Sequence, residues 1–364
     1  MELPSAKCVD EYTAGDEEKT EYTVLNSPMN GQLQKQIKFR NDKTKSHQRY
    51  SCTKPGQKCS LIRQNVPRIR ILSNKKSPSL SHVPCLVLQD SALNQLKWLG
   101  HKGLFGRFQL IYWDPPFFSG KERTAVNGSF KDQWSSLQEY VAFVKEHFVQ
   151  FLPFLSPTGF FVLHCDYHAS HYLKILGDEL LGYDNFRNEV IWHYRGRRQK
   201  AIVRVNSKHD SLLIWAKSAE ARMNPIFDSW DRDYYVRMKK QPVHADEDGR
   251  EWIWGHKGKG QSKAYRIYLD EVIAQGRAID NVWDIPIINT SAHERVGYPT
   301  QKPLKLMERV VLLLTQPGDW VLDTMAGSGT TGVAAWSLDR PVCLGDNNPE
   351  AVAIMLRRLK QLIT

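Results

Sequence analysis

The sequence predicts an α/β protein built on one doubly wound, mostly parallel sheet that is interrupted by an irregular polar insert. Short apolar runs alternate with longer segments of helical spacing, the pattern of strands joined by crossover helices. Two of those runs stop abruptly in loops of unusual composition, DPPF at 114–117 and DTMAGSGTTG at 323–332. Between about 187 and 296 the alternation lapses into polar, irregular sequence, and after Tyr298 it returns.

Residues 1–83 are rich in Lys, Ser, Gln and Asn. KFRNDKTKSHQRYS (38–51) and SNKKSPSLS (73–81) read as flexible basic linker, so this extension is expected to be partly disordered, with one short strand near Ile69–Leu72. CLVLQ (85–89) reads as a strand ending at Asp90, and SALNQLKWLG as the helix after it. FQLIYW (108–113) is a second buried strand. LQEYVAFVKEHFVQFLPFL (137–155) has helical spacing, GFFVLHCD (159–166) is a third strand, and ASHYLKILGDELLG is helical. SLLIWAK (211–217) stands out of the irregular region as one more core strand. PLKLMERVVLLLTQ (303–316) is an amphipathic helix. WVLD (320–323) is a strand, followed by a glycine turn and a helix through about Leu338. PVCLGD (341–346) is a strand and PEAVAIMLRRLKQLI (349–363) a closing helix. The expected division is 1–83, a basic extension; 84–194 and 297–364, two halves of one sheet domain; and 195–296, an insert.

A formal charge of +11, from 50 basic against 39 acidic residues, suits a polyanionic partner. Eleven tryptophans and fourteen tyrosines add surfaces on which bases can stack. No run approaches the roughly 20 apolar residues of a membrane span, and the N-terminus carries no signal pattern. A cytoplasmic, nucleoid-associated protein with no membrane partner is expected. The six cysteines lack CxxC spacing, since Cys52 and Cys59 are too far apart, so they read as reduced thiols. His164, Cys165, His168 and His171 are crowded, but strand neighbours point to opposite faces, so no metal is expected.

The glycines of the 323–332 turn fit GxGxxG between a strand and a helix, where backbone can approach a ligand at a helix N-terminus. Asp346 ends the next strand, where an acid can grip ribose hydroxyls. A dinucleotide, S-adenosylmethionine and a bare tight turn all fit this pattern; the missing Lys before the Thr pair excludes a phosphate-binding P-loop. Asp323 would repel a pyrophosphate but could pair with the ammonium of a methionine moiety, which favours the methyl donor.

DPPF ends a buried strand, where open α/β sheets bind their ligands. An exocyclic amine is a poor nucleophile because its lone pair is delocalised into the ring. Acceptors on its N–H groups favour a pyramidal nitrogen. The Asp114 carboxylate and the Pro115 carbonyl can supply them, with Pro115 and Pro116 fixing the backbone and Phe117 stacking on the base. The competing reading is a proline turn that caps a strand.

Taken in order, DPPF (114–117), the irregular region, YPTQKP (298–303), DTMAGSGTTG (323–332) and NNPEAV (347–352) resemble the amino-methyltransferases of restriction-modification systems, in the group with permuted motif order. The resemblance covers about residues 85–364. It implies a Rossmann-like, S-adenosylmethionine-dependent fold with 195–296 as target-recognition region. It also implies that Asp90 contacts the cofactor's adenine, that Thr300 and Lys302 hold its methionine end, and that Asp323, Ala326, Gly327, Ser328, Gly329, Thr330 and Asp346 complete the cofactor site. Asp at the first motif position favours adenine N6 over cytosine N4. Thr324 and Met325 depart from the family's Pro and Phe, and Phe117 from its commoner Tyr.

The expected partner is double-stranded DNA with its target base flipped out; a cognate restriction endonuclease and a homodimer fit the same resemblance. Arg195, Arg197, Arg198, Lys200, Arg204 and Lys208 could track phosphates. Trp252, Trp254, His256, Lys257 and Lys259 could form a second contact loop, and Lys121 sits in a loop that could close over the base. An ordinary solvated face is the competing reading for each. Two other classes stay open: a catalytically idle DNA-binding relative, which intact Asp114 and the glycine loop disfavour, and a methyltransferase for RNA or protein glutamine. Glutamine enzymes of this type place their NPPY after the cofactor loop, the reverse of the order here.

Overall fold

Nine strands between Arg68 and Asp346 lie in one sheet. They are β1 (Arg68–Leu72), β2 (Cys85–Gln89), β3 (Phe108–Trp113), β4 (Leu155–Cys165), β5 (Phe186–His193), β6 (His209–Ala216), β7 (Val282–Asp284), β8 (Trp320–Asp323) and β9 (Val342–Asp346). The computed structural model describes residues 21–29, 32–40, 67–72, 83–120, 122–125, 128–131, 133–195, 205–256 and 264–362. The chain divides into two units, 1–64 and 65–364. In the first, Glu21–Met29 and Gln32–Arg40 pair as an antiparallel hairpin, which the sequence reading did not foresee.

Across the sheet the order is β7-β5-β6-β4-β3-β8-β9-β2-β1. The run from β4 through β3, β8 and β9 to β2 is parallel, as is the β7–β5 pair. Strands β6 and β1 run antiparallel to their neighbours. Among the described residues eight α-helices accompany it: α1 (Ala92–His101), α2 (Leu137–Phe151), α3 (Ser170–Leu181), α4 (Arg232–Lys239), α5 (Leu269–Gln275), α6 (Leu304–Leu314), α7 (Thr330–Ser337) and α8 (Pro349–Gln361).

Alternation along β3 shows why both faces are covered. Tyr112 belongs to a core with Leu306, Met307 and Val310 of α6. Its neighbour Trp113 packs on His147 and Phe151 of α2. Strands buried on both faces read as continuous apolar runs rather than alternating ones, and FQLIYW is such a run. Local capping agrees with the boundaries: Ser91, Ser136 and Asn348 each accept a backbone N–H from the first turn of α1, α2 and α8.

The 195–296 stretch is less separate than its composition suggests. It supplies β6 and β7 to the sheet, and β5, inside the stretch that reads as irregular from 187, lies between them. Alternating burial along FRNEVIWH marks it as a half-covered strand. Beyond the sheet, the stretch holds α4, α5 and a three-stranded layer of His244–Ala245, Glu251–His256 and Ala264–Tyr268 around Tyr235, Ile253 and Leu269. The short strand expected near Ile69–Leu72 is β1, so the basic extension also reaches the sheet edge.

Phe161 sits at the middle of the buried layer, wholly covered and stacked on Phe148 at 4.0 Å between ring centroids. Truncating a core aromatic costs about 3–5 kcal/mol. Phe161→Ala should therefore lower the midpoint of thermal unfolding measured by circular dichroism; an unchanged midpoint would contradict this packing.

Candidate active site

Strands β3 and β8 are direct parallel neighbours, with Leu110 opposite Val321 and Ile111 opposite Leu322. Their C-terminal ends therefore lie side by side, and the DPPF segment leaves one as the glycine turn leaves the other. One contact ties the ends together, and a second brings the 298–303 segment to the end of β3. The Trp113 indole N–H donates to the Met325 sulfur at 3.4 Å. Met325 is one of the sequence's departures from the resembled motif, and its thioether can accept where a phenyl ring could not. Lys302 Nζ donates to Asp114 Oδ2 at 2.6 Å and lies 5.4 Å from the Phe117 ring centre.

The other oxygen of Asp114, Oδ1, is buried and has no hydrogen-bond partner. It faces His164 Nδ1 at 3.8 Å, too far for a bond. His164 is itself fully buried in a polar chain: its Nε2 lies 3.2 Å from Asp210 Oδ2, and its Nδ1 2.6 Å from the Tyr112 hydroxyl. Burial alone would raise the Asp210 carboxyl, but bonds from His164 and Tyr194 and the charge of Lys302 hold it below its ordinary value. An ionised Asp210 is an acceptor for His164 Nε2–H. Burial, then the charges of Asp114, Asp323 and Asp210, push the Tyr112 hydroxyl well up. The histidine that read as an ordinary core residue thus lies beside the catalytic candidate. His168 pairs separately with Asp166 at 2.8 Å.

The glycine turn is built for close approach. Gly327 and Gly329 adopt φ of +51° and +74°, where L side chains are strained. A Cβ on Gly327 would stand 2.9 Å from the Tyr298 ring, and one on Gly329 would stand 2.3 Å from Met355 of α8. Gly327 N donates to Asp346 Oδ2 at 2.9 Å, and Asn348 N to Asp346 Oδ1 at 2.9 Å. Burial raises the Asp346 carboxyl and these backbone donors partly offset it. Arg358, buried on α8, donates to the Ser328 carbonyl at 2.8 Å and to the Thr330 hydroxyl at 2.9 Å. Gln95, also buried, donates to the carbonyls of Asp90 at 2.7 Å and Thr324 at 3.2 Å. Neither Arg358 nor Gln95 belongs to a motif, and a lone polar residue in an amphipathic helix carries no sequence signal of this work.

Asp323 departs from its expected role. Rather than reaching outward to an ammonium group, it is buried. Its oxygens accept from the Thr331 hydroxyl at 2.7 Å and from Met325 N at 3.1 Å. Short hydroxyl and amide donors immediately after the strand fold the turn back over the carboxylate. Burial raises it to about 7, against the lowering effect of those two bonds.

Asp90 Oδ1 accepts from Ser91 N at 2.7 Å and Asn94 Nδ2 at 2.9 Å. A cavity of about 610 Å³ opens beside it, lined by Arg68, Asp90, Ser91, Asn94, Asn347 and Pro349. Thr300 lies in the turn where Gln301 N donates to the Tyr298 carbonyl at 3.3 Å. Arg195 is exposed and 3.3 Å from Asp284. Trp252 is buried and stacked on His244 at 4.5 Å, which removes it from the proposed contact loop; Trp254, on the same face of the strand and edge-on to Trp252 at 4.8 Å, stays exposed. Lys121, Arg197, Arg198, Lys200, Arg204, Lys257 and Lys259 lie outside the described residues.

The residues fit a nucleoside-bearing sulfonium donor. The positive-φ glycines leave a cradle that a Cβ would fill, the cavity at the ends of β2 and β9 is lined mostly by polar residues, and an acid ends β9.

The sequence model of the family N6_N4_Mtase, described as DNA methylase, matches residues 108–357. DNA adenine methyltransferase YhdJ of Escherichia coli (strain K12) is 43% identical over 273 residues, which is 75% of this chain and 82% of that one. Type II methyltransferase M2.LlaDCHI of Lactococcus lactis subsp. cremoris is 34% identical over 110 residues, 30% of this chain and 41% of that one. Among solved structures, the M1.HpyAVI–SAM complex aligns at a TM-score of 0.47 with 20% identity, over 75% of this chain and 98% of that one.

The raised Asp323 carboxyl has a sign that can be tested. Its folded value lies above the unfolded one, so its contribution to stability is fully present below the ordinary carboxyl value of 3.8 and is lost as pH rises through about 7. Thermal midpoints of the unaltered chain should fall across that window relative to Asp323→Asn, which cannot ionise. Parallel pH profiles for the two proteins would contradict the buried placement.

Proposed function

This chain belongs to the DNA methylase family, and from that premise we propose that it transfers a methyl group from S-adenosylmethionine to the N6 amino group of adenine in double-stranded DNA. The observation that carries the reading is the Asp114 carboxylate at the end of β3, held by Lys302 next to the glycine turn of β8. The named adenine specificity of the 43% identical relative supports the choice of base. Cytosine N4 presents the same kind of amine and is the alternative.

When bound, the cofactor supplies a methyl group on a positively charged sulfur, ready for in-line displacement. The remaining steps fall to the chain. The Asp114 carboxylate, which Lys302 holds in the free protein, is the acceptor for one amine N–H. The Pro115 carbonyl is the second acceptor, and together they favour a nitrogen whose lone pair is free to attack. Phe117, already within reach of a cation at its face, stacks on the base. As the N–C bond forms and the S–C bond breaks, the sulfur keeps the bonding electron pair. The nitrogen then gives a proton to Asp114, which passes it to solvent. Asp90 and Asp346 line the nucleoside side, Thr300 and Lys302 the methionine side, and the backbone from Ala326 to Thr330 the space between. Asp323 acts one layer down, by fixing the turn.

DNA is the partner in this reading. Arg195, with Arg197, Arg198 and Lys200, contacts phosphates on one side of the site. Lys257 and Lys259 contact them on the other, and Lys121 closes over the flipped base. A companion restriction endonuclease and a homodimer are finer expectations that co-purification and light scattering would check. Among the described residues no helix is long and apolar enough to cross a membrane; a nucleoid-associated location in the cytoplasm is part of the proposal.

Expressed in a host free of DNA methylation, the chain should produce N6-methyladenine in a fixed sequence context, read by long-read sequencing. Asp114→Ala should lower tritium transfer to DNA by about 100-fold or more, the scale for losing one preorganised polar contact to the reacting group. N4-methylcytosine would replace the adenine assignment with its alternative, and transfer to RNA alone would overturn both.

A further inference from the structure

We propose that Lys302 occupies the seat of the target amine in the free protein and leaves it for the carboxylate of the bound cofactor, so that cofactor binding uncovers the base site. The inference rests on the methyl-transfer reading above.

Three observations lead to it. The acceptor oxygens of Asp114 are closed as they stand: Oδ1 is buried, and Oδ2 is capped by Lys302 Nζ at 2.6 Å. The same ammonium lies 5.4 Å from the centre of the Phe117 ring, the surface on which the base would stack. A single –NH3⁺ group thus makes both contacts that a base amine and its ring would need. The pair is also poorly hydrated, with the Lys302 side chain 13% and that of Asp114 19% exposed, so water does not readily pull it apart.

A replacement anion must come from a ligand. Lys302 sits on the segment that packs against the cofactor turn, where Tyr298 touches Gly327, while its side chain reaches across to the catalytic strand. The cofactor's one anionic group is its carboxylate, a suitable partner for a compact, mobile ammonium charge. Exchange of one carboxylate for the other leaves Lys302 neutralised in both states and releases Asp114 Oδ2 and the Phe117 face together. Lys302 is in this sense a positioning residue that couples the two halves of the site. Because coupling is reciprocal, Asp114 must in turn oppose cofactor binding.

Calorimetric titration without DNA tests this. S-adenosylhomocysteine keeps the carboxylate but has no sulfonium charge for Asp114 to attract. Methylthioadenosine lacks the carboxylate altogether. Asp114→Asn should tighten S-adenosylhomocysteine by about 5-fold or more, the lower range for coupled sites, although it removes the central catalytic group. Lys302→Met should weaken it, and in the Lys302→Met background Asp114→Asn should change nothing further. Methylthioadenosine should bind all four proteins alike, which also shows that the variants are folded. The inference fails if Asp114→Asn leaves S-adenosylhomocysteine affinity unchanged or weaker, or if the tightening persists without Lys302. If the unaltered protein binds neither adenosyl compound, the cofactor reading itself falls, and this inference with it.

Discussion

Parallel pairing of β3 with β8 is the constraint on which the site depends. Each strand ends in a loop with its own chemistry, one a carboxylate followed by two prolines, the other a turn of glycines at positive φ. Neither loop does much alone. Main-chain hydrogen bonding holds the two ends one strand apart, the Trp113–Met325 contact joins them, and Lys302 ties the 298–303 segment to Asp114. Ligand sites at the carboxyl ends of open parallel sheets follow the same logic.

Around that pair lies a shell of buried polar side chains, each with a partner. Gln95 ties the ends of β2 and β8, Arg358 clamps the turn from α8, and Thr331 satisfies Asp323. Buried polar groups are costly unless bonded, and fully bonded they fix a unique arrangement. Asp114 Oδ1, like Gln95 Oε1 and Thr324 Oγ1, is buried without a partner, and an orphaned acceptor in a native site calls for a functional explanation.

Much of this was legible from residues alone. FQLIYW, WVLD and CLVLQ fall on their strands residue for residue, because strands covered on both faces are continuous apolar runs with sharp polar ends. The paired loops were legible because proline and glycine are dictated by backbone geometry rather than by neighbours. What escaped notice depends on distant contacts. β5 is half-covered, and its Asn and Glu positions blur the pattern. β7 is too short to show any period. His164 read as bland because its partners, Tyr112 and Asp210, come from two other strands. The burial of Asp323 was not legible, since only the folded turn shows Thr331 bending back onto it.

The adjacency of β3 and β8 also bears on the order in which the protein can be assembled on the ribosome. Ile111 and Leu322 are paired across neighbouring strands, yet about two hundred residues of chain separate them. Until β8 emerges, β3 has a vacant edge where its future partner belongs, with apolar side chains on both faces. Such non-local pairing is intrinsically slow and leaves sticky intermediates exposed. The nascent chain therefore carries Asp114 through the synthesis of the whole intervening stretch without the turn of β8 beside it, and the two loops meet only when that long-range pairing forms.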